Sequence, residues 1–239
     1  MKSIQKNILI GFFMLLLTSC SIFKSSSSRN NNHLSCTVFD YIDIFKELSE
    51  SEKIRYSTIQ FNSYGDKVTE ILFAKNSDTI EILKYYYNTQ NNLDSLIRVK
   101  QDNHLKEEYT YGSDGKLVSI DEIYNHMRSR KERHSYKDSV HASVKHYMGN
   151  MPSSRSELEF NNQGSLIKRV ILSPEGNFWG QIEYLYTDFG KLSVETHFNK
   201  RGIANEIREF RYNSNQLLEW KIVKNLDGKL FTKLQYTYE

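Results

Sequence analysis

The chain has 239 residues and a formal net charge of +3, and residues 1–19 hold two lysines and no acid. Without that segment the charge is +1, because 3 − 2 = 1, and this excludes the basic excess typical of nucleic-acid binding. About 200 residues remain, enough to bury a core as one domain. The 16 Tyr and 13 Phe beside only 2 Pro indicate strands and turns.

The first 19 residues have the features of an export signal. Lys2 and Lys6 precede an apolar run, residues 8–17, that is broken only by Gly11. The run is about ten residues long, whereas a helix that spans a bilayer needs about twenty. The pattern therefore predicts a cleaved secretory signal peptide and not a membrane span.

This signal ends in Leu17-Thr18-Ser19-Cys20, which resembles the lipobox of bacterial lipoproteins. The resemblance implies cleavage before Cys20, a diacylglycerol on the Cys20 thiol and acylation of the new N-terminus. Two or three acyl chains give lasting anchoring in a lipid bilayer. We therefore expect an outer-membrane lipoprotein of the cell envelope, with the side of the membrane left open. An ordinary signal peptide with a chance cysteine is the alternative.

Two segments link the signal to the main domain. Residues 20–36 contain SSSS and NNN and have almost nothing to bury, so we expect a flexible polar tether. Residues 37–55 are predicted to be an N-terminal capping segment, either a first strand with a charged turn or a short helix. Cys36 is the only cysteine left once Cys20 is acylated, so we expect no internal disulfide and no thiol cluster for a metal.

Residues 56–239 repeat with a period of about 25 residues. An aromatic residue is followed by a polar residue, two variable residues, often Gly, one further residue and an aliphatic, as in Tyr111-Gly-Ser-Asp-Gly115-Lys-Leu117. Successive aromatics are 24 to 26 residues apart, at positions 61, 87, 111, 136, 160, 186, 212 and 236. A fixed period of this kind is the mark of a repeat array.

Each copy of this pattern fits a tight hairpin turn. Asn suits the first position of a type I turn, and the Gly then adopts a positive φ that closes the hairpin with a bulge. Asn91 replaces this Gly in the second copy and tolerates the same conformation. The copy at Tyr212 is one residue shorter, the copy at Tyr136 is degenerate and the copy at Tyr236 is truncated. A less regular set of turns lies between them, at 75–78, 101–104, 174–177, 199–202 and 225–228.

The strands between the turns alternate with period two, as in Ile182, Tyr184 and Tyr186. We predict an all-β fold, a long antiparallel meander of about 14 strands in a curved single-layer repeat sheet, because strand twist accumulates. Tight turns should lie on one rim and looser turns on the other, with a ladder of aromatics two strands apart. An outer-membrane barrel is disfavoured because residues 206–212 carry charges on both strand faces.

The tight turns resemble the YD repeat of the RHS family, Tyr-Asp-x-x-Gly-Arg-Leu. Tyr111/Gly115/Leu117 and Tyr186/Gly190/Leu192 match best, although no copy has Asp after the aromatic and Lys or Ser stands in place of Arg. The resemblance covers residues 56–239 and implies an extracytoplasmic β-sheet spiral with a carbohydrate-contacting surface or a shell. MORN-like β-hairpin repeats of small antitoxin-type proteins are the alternative resemblance.

Residues suited to chemistry are few. Four histidines fall within 21 residues but lack a metal-ligand spacing, so we interpret them as surface residues: His126, His134, His141 and His146. His141 and His146 are five apart and should point to opposite faces of a strand. No catalytic or cofactor-binding motif is present. We therefore expect no enzyme, no metal and no cofactor.

A basic run at 126–137 is the best candidate for a contact surface. Its cations are suited to acidic glycans, lipid headgroups or an acidic protein, and they are Arg128, Arg130, Lys131, Arg133 and Lys137. The leading hypothesis is a membrane-anchored, non-catalytic envelope lipoprotein that presents a β-repeat sheet to a protein or glycan. An immunity or antitoxin-like protein that neutralises an envelope toxin is the alternative. A glycan-active enzyme that uses Glu157 and Glu159 is a third.

Overall fold

A computed structural model describes residues 35–41, 53–74, 76–101, 103–137 and 140–239. The predicted signal, Cys20 and most of the predicted tether lie outside these residues. The described residues form 16 strands. Their bounds are β1 Ser35–Tyr41, β2 Lys53–Phe61, β3 Lys67–Phe73, β4 Thr79–Tyr87, β5 Leu93–Lys100, β6 Asn103–Tyr111, β7 Leu117–Tyr124, β8 Met127–Lys137, β9 Val140–Met148, β10 Met151–Phe160, β11 Leu166–Leu172, β12 Phe178–Tyr186, β13 Leu192–Phe198, β14 Ala204–Tyr212, β15 Leu218–Lys224 and β16 Leu230–Tyr238.

The strands form one antiparallel meander that closes into a barrel. The all-β meander is confirmed, but the prediction of an open curved sheet of about 14 strands is wrong. β1 makes the difference, because it pairs with β2 on one side and with β16 on the other. The amide of Ser35 donates to the Glu239 carbonyl at 3.2 Å, and the amide of Glu239 donates back at 3.0 Å. The region predicted to cap the sheet, 37–55, contains the end of β1 and the start of β2, and its residues 42–52 lie outside the described residues.

The turns lie on two rims, as predicted. Among the described residues, the tight-turn rim carries the turns that follow β2, β4, β6, β10, β12 and β14, and the opposite rim carries those that follow β3, β5, β7, β9, β11, β13 and β15. The opposite turns at 74–78, 173–177, 199–203 and 225–229 have the same pair of closing hydrogen bonds as the tight turns, so they are not looser. Asn91 adopts a positive φ of 59°, as predicted, and Gln216 takes the equivalent position with the same φ. The copy at Tyr212 is therefore of full length.

The recurrent aromatics form a ladder along the tight-turn rim. Six tyrosine hydroxyls donate to the carbonyl of the first residue of the preceding strand at 2.8–2.9 Å. These tyrosines are Tyr87, Tyr111, Tyr136, Tyr186, Tyr212 and Tyr238. The aromatic residue of the last copy is therefore Tyr238 and not Tyr236 as predicted. Each hydroxyl satisfies a carbonyl beside a turn and ties one repeat to the previous one.

The strand register assigns one face of every strand to the lumen, because directly paired residues share a face. At the closing strands this face is apolar and buried. We call this region the seam, and it consists of Cys36, Val38, Ile59, Phe61 and Leu234. A second buried apolar cluster lies on β4 to β6 and consists of Leu83, Tyr85, Leu96 and Tyr109. Buried polar side chains, among them Ser156 and Glu195, also line the lumen. The outward face carries exposed charges such as Lys84, Glu159 and Arg211. Among the described residues, no helix is long and apolar enough to cross a bilayer.

Candidate functional site

The most extensive polar network lies in the lumen on β8 to β11. We call it the polar quadrant, and it comprises Glu132, His134, His141, His146, Ser156 and Arg169. Glu132 Oε1 lies 3.2 Å from His146 Nδ1, and His146 Nε2 lies 3.2 Å from Ser156 Oγ. Arg169 donates from Nε to Ser156 Oγ at 2.9 Å and from Nη2 to His146 Nε2 at 3.2 Å. The network therefore spans four strands.

The histidines of this network are not surface residues, which corrects the sequence interpretation. The His134 and His146 side chains face the lumen and are only 7% and 12% exposed, and His134 Nδ1 lies 3.0 Å from His141 Nε2. A β-bulge between Ser135 and Tyr136 shifts the alternation and brings His141 to the lumen side. His141 and His146 therefore share a face despite their odd spacing. Only His126, in the turn before β8, is exposed.

Electrostatics explains why the network is stable. Burial opposes the ionised form of Glu132, but hydrogen bonds with His134 and His146 and the charge of Arg169 outweigh it and lower its pKa. Burial lowers the pKa of the Arg169 guanidinium, and Glu132 opposes that shift. Burial and the neighbouring His134 lower the pKa of His141 to about 4. The quadrant thus holds the Glu132 carboxylate, whose side chain is 33% exposed, near the Arg169 guanidinium, with His146 between them.

The order Ser156, His146, Glu132 has the geometry of a hydroxyl activated by an oriented base. Ser156 is 0% exposed, however, and its Oγ already accepts the Nε proton of Arg169. A substrate carbonyl therefore has no approach to this hydroxyl in the described conformation. The arrangement can tie four strands together, and that is the role its burial supports.

A second buried polar cluster lies on β13 and β14. Glu195 is 0% exposed, and its Oε2 lies 3.4 Å from both His197 Nε2 and Arg208 Nη1. Arg208 also donates from Nε to Glu206 at 2.7 Å. This cluster extends the polar lining of the lumen beyond the polar quadrant.

The predicted contact patch lies on β8 and is partly neutralised by the neighbouring strand β7. Arg128 and Lys131 both bind the Asp121 carboxylate, at 2.7 and 3.0 Å. Arg130 faces the lumen at the rim, with Nε 3.7 Å from Glu122 Oε1. The other two members of the patch, Arg133 and Lys137, are exposed, and Arg133 lies over the Tyr147 ring at 5.9 Å.

The register adds two cations that sequence reasoning missed. Arg133 is paired directly with Lys145, and Lys145 is paired directly with Arg155. We call these three outward-facing residues the cationic row. Arg155 has Glu157 at 3.1 Å, whereas neither Arg133 nor Lys145 has an acid within ion-pair distance in the described part of the chain. The signal that would have found the row is strand parity across three hairpins, which requires the register.

The two cysteines and a metal site are the remaining candidates from the sequence. Cys20 lies outside the described residues, so its acylation stays a prediction. Cys36 is fully buried in the seam and serves as a core residue. Within the described ranges, no group of three or more His, Cys, Asp or Glu side chains is arranged to hold a metal ion.

Comparisons with known proteins give distant likenesses only. No family model and no curated protein matches the chain. A porin-like protein from Bacteroides vulgatus is similar at 10% identity over 85% of this chain and 97% of that chain, with a TM-score of 0.49. A porin-like protein from Bacteroides uniformis is 10% identical over 87% of this chain and 96% of that chain, with a TM-score of 0.38. TcdB2-TccC3 is 12% identical over 74% of this chain and 10% of that chain, with a TM-score of 0.33.

Likenesses at this level support no conclusion about what this chain does. No match supports membership of the RHS family or a MORN-like array. Both resemblances therefore stay predictions.

Proposed function

We propose that this protein is an envelope lipoprotein, anchored through acyl chains on Cys20, whose barrel is a non-catalytic binding module for a polyanionic partner. The export signal and lipobox-like segment support the location. The cationic row supports the binding role and is the observation that carries it. An acidic glycan is the partner we favour, since repeated anionic groups along a chain match cations spaced about 4.8 Å apart on neighbouring strands.

The cationic row has an energetic cost in the absence of a ligand. Like charges directly opposite each other on neighbouring strands destabilise a sheet by about 0.2–1 kcal/mol per pair. The row contains two such pairs, Arg133 with Lys145 and Lys145 with Arg155. An anionic ligand that lies across the three strands removes this repulsion, so binding and stability are coupled.

Binding by the full-length lipoprotein in detergent micelles tests this proposal. We expect it to bind a sulfated polysaccharide but not neutral dextran, with an affinity that falls as salt rises. Replacing Arg133 and Lys145 by Ser should weaken binding at least tenfold. The matched control replaces Lys84 and Lys106 by Ser. These lysines lie on the outward face of β4 and β6, so the control also loses two positive charges from that face. Equal losses in both variants, or no binding by the parent, would contradict the proposal.

Mass spectrometry of the mature N-terminus tests the anchor separately. We expect an acylated Cys20 as the first residue and release of the protein from membranes in the Cys20→Ser variant. An unacylated N-terminus at another residue would remove the membrane part of the proposal and leave the cationic row untouched.

A further inference from the structure

The methionines of this chain have an unusual distribution. Two of the five, Met1 and Met14, lie in the predicted signal. The other three are all exposed, Met127 at 71%, Met148 at 58% and Met151 at 73%. Methionine usually fills gaps in an apolar core. Here none of the three does so, and all lie on one short stretch of the rim opposite the tight turns.

The register brings these three residues together. Met148 and Met151 are directly paired across the turn at 149–150. Met127 is paired with Tyr124 across the turn at 125–126. The Gly149 amide donates to the Ser129 carbonyl at 2.9 Å, which holds the second turn against the start of β8. Two short hairpins therefore carry the three thioethers on one sector of this rim.

All three side chains are on the lumen side of the wall. Met148 follows His146 by two residues on β9, so both face the lumen, and Met151 shares its face by pairing. Arg128 faces outward to Asp121, and Met127 next to it therefore faces inward. Met148 is paired with Arg130, so the Cα atoms of Met127 and Met148 are about 11 Å apart by strand geometry. Two flexible methionine side chains that share one ion can bridge this distance.

We propose that Met127, Met148 and Met151 form a binding site for a soft monovalent cation, Cu(I), at the mouth of the barrel. Thioether sulfur is a soft ligand and selects Cu(I) over Mg²⁺, Ca²⁺ or Mn²⁺, which prefer oxygen ligands. The nearby guanidinium of Arg130 is balanced by the Glu122 carboxylate at 3.7 Å, so the local charge does not repel the ion. This site is independent of the cationic row and of the partner proposed for it.

Titration with Ag(I), a redox-stable probe for Cu(I), tests the site. The full-length protein is used with the substitution Cys36→Ser, so that the Cys36 thiol does not compete for the ion. Its methionines are labelled at the methyl group for NMR. We expect one Ag(I) per chain, with the methyl signals of Met127, Met148 and Met151 shifting together. A Cu(I) titration against a chelating competitor should give the same stoichiometry.

Leucine substitution separates metal binding from apolar contact, because Leu keeps the volume and apolarity of Met. Each single Met→Leu variant should weaken Ag(I) binding at least tenfold, and the triple variant should abolish it. The control, Ile203→Ala with Leu226→Ala on the same rim, should bind as the parent does. Binding that survives the triple variant, three independent sites, or no binding at all would overturn the proposal.

Discussion

The seam and the polar quadrant line the same lumen with opposite chemistry. The seam joins β16, β1 and β2 through five buried residues, among them Val38 and Ile59, none of which carries a charge. The polar quadrant joins β8 to β11 through a carboxylate, a guanidinium, imidazoles and a hydroxyl. One barrel is therefore held by non-directional burial in one sector and by directional hydrogen bonds in another.

This difference follows the chain connectivity. β1 and β16 are the first and last of the described strands, so no turn connects them and none sets the register between them. Apolar side chains tolerate small shifts because their contacts have no preferred direction. β8 to β11 are joined by short turns that set the register locally. Ser156, His146 and Arg169 are hydrogen-bonded there because their partners lie at defined positions, and a shift would leave them unpaired.

The largest expected effect is at the seam. Phe61→Ala removes a side chain that is 3% exposed and leaves a cavity, so the free energy of unfolding should fall by about 4 kcal/mol. Chemical denaturation at pH 5 and pH 8 should give the same loss, because the seam has no ionic part. Tyr64→Ala, at a 74% exposed position, is the control and should cost less than about 0.5 kcal/mol. A loss confined to one pH would contradict this description of the seam.

The next effect is in the polar quadrant. Glu132→Ala removes the partner of His146 Nδ1 and the carboxylate that offsets the charge of Arg169, so it should cost about 2 kcal/mol. The double variant Glu132→Ala with Arg169→Leu should recover part of this loss, as a double-mutant cycle measures. Glu159→Ala, on the exposed outward face, changes the same charge and should have little effect. Simple additivity in the cycle would show that the two residues are not coupled.

The quadrant should also give the barrel a pH dependence that the seam lacks. The pKa of His141 is lowered from 6.5 to about 4, so the unfolded state takes up this proton first. Stability is therefore greatest above about pH 6.5 and falls as the pH decreases toward 4. Because His141 is only partly buried and solvent screens its charge, the loss at pH 4.5 should be about 1.5 kcal/mol. Denaturation curves across this range should show a shallower acid slope in His141→Asn. Phe61→Ala should keep the parent slope, and an unchanged slope in His141→Asn would refute the assignment.

The smallest effect should be equal in both regions. Two variants each remove one hydroxyl of the ladder. Tyr136→Phe on β8 loses the hydrogen bond to the Leu117 carbonyl, and Tyr238→Phe on β16 loses the hydrogen bond to the Leu218 carbonyl. Each variant should lose about 1 kcal/mol, the net contribution of one hydrogen bond. Thermal unfolding of the two variants beside the parent measures this. A marked difference between them would mean that the ladder is not a uniform element of the repeat.

The sequence predicts the local elements of the fold well. The period of 24 to 26 residues, the positive φ at Asn91 and the shared face of Ile182 and Tyr184 are all present. Turn chemistry and alternation reside in fewer than about ten consecutive residues, so they can be recognised without the fold. The turn pattern does not identify Gln216 as the positive-φ residue, because Gln rarely adopts a positive φ.

Closure and side-chain clustering depend on non-local information. Ser35–Tyr41 carries no repeat signal, and its role appears only when it pairs with β16. The bulge between Ser135 and Tyr136 reverses the face expected for His141. The basic run was recognisable, but Asp121 lies on the neighbouring strand and neutralises part of it. The partners Lys145 and Arg155 likewise follow from register and not from spacing.

The pairing of β1 with β16 also orders the folding of the chain in time. Every other ladder joins strands that are neighbours in sequence, so it can zip as soon as the second strand is made. The closing ladder must wait for β16, and of all the described ladders it joins the residues that are farthest apart in sequence. Until then the sheet has two unpaired edges, which are prone to pair with other chains. A chain truncated before β16 should therefore aggregate, even though 15 of its strands remain.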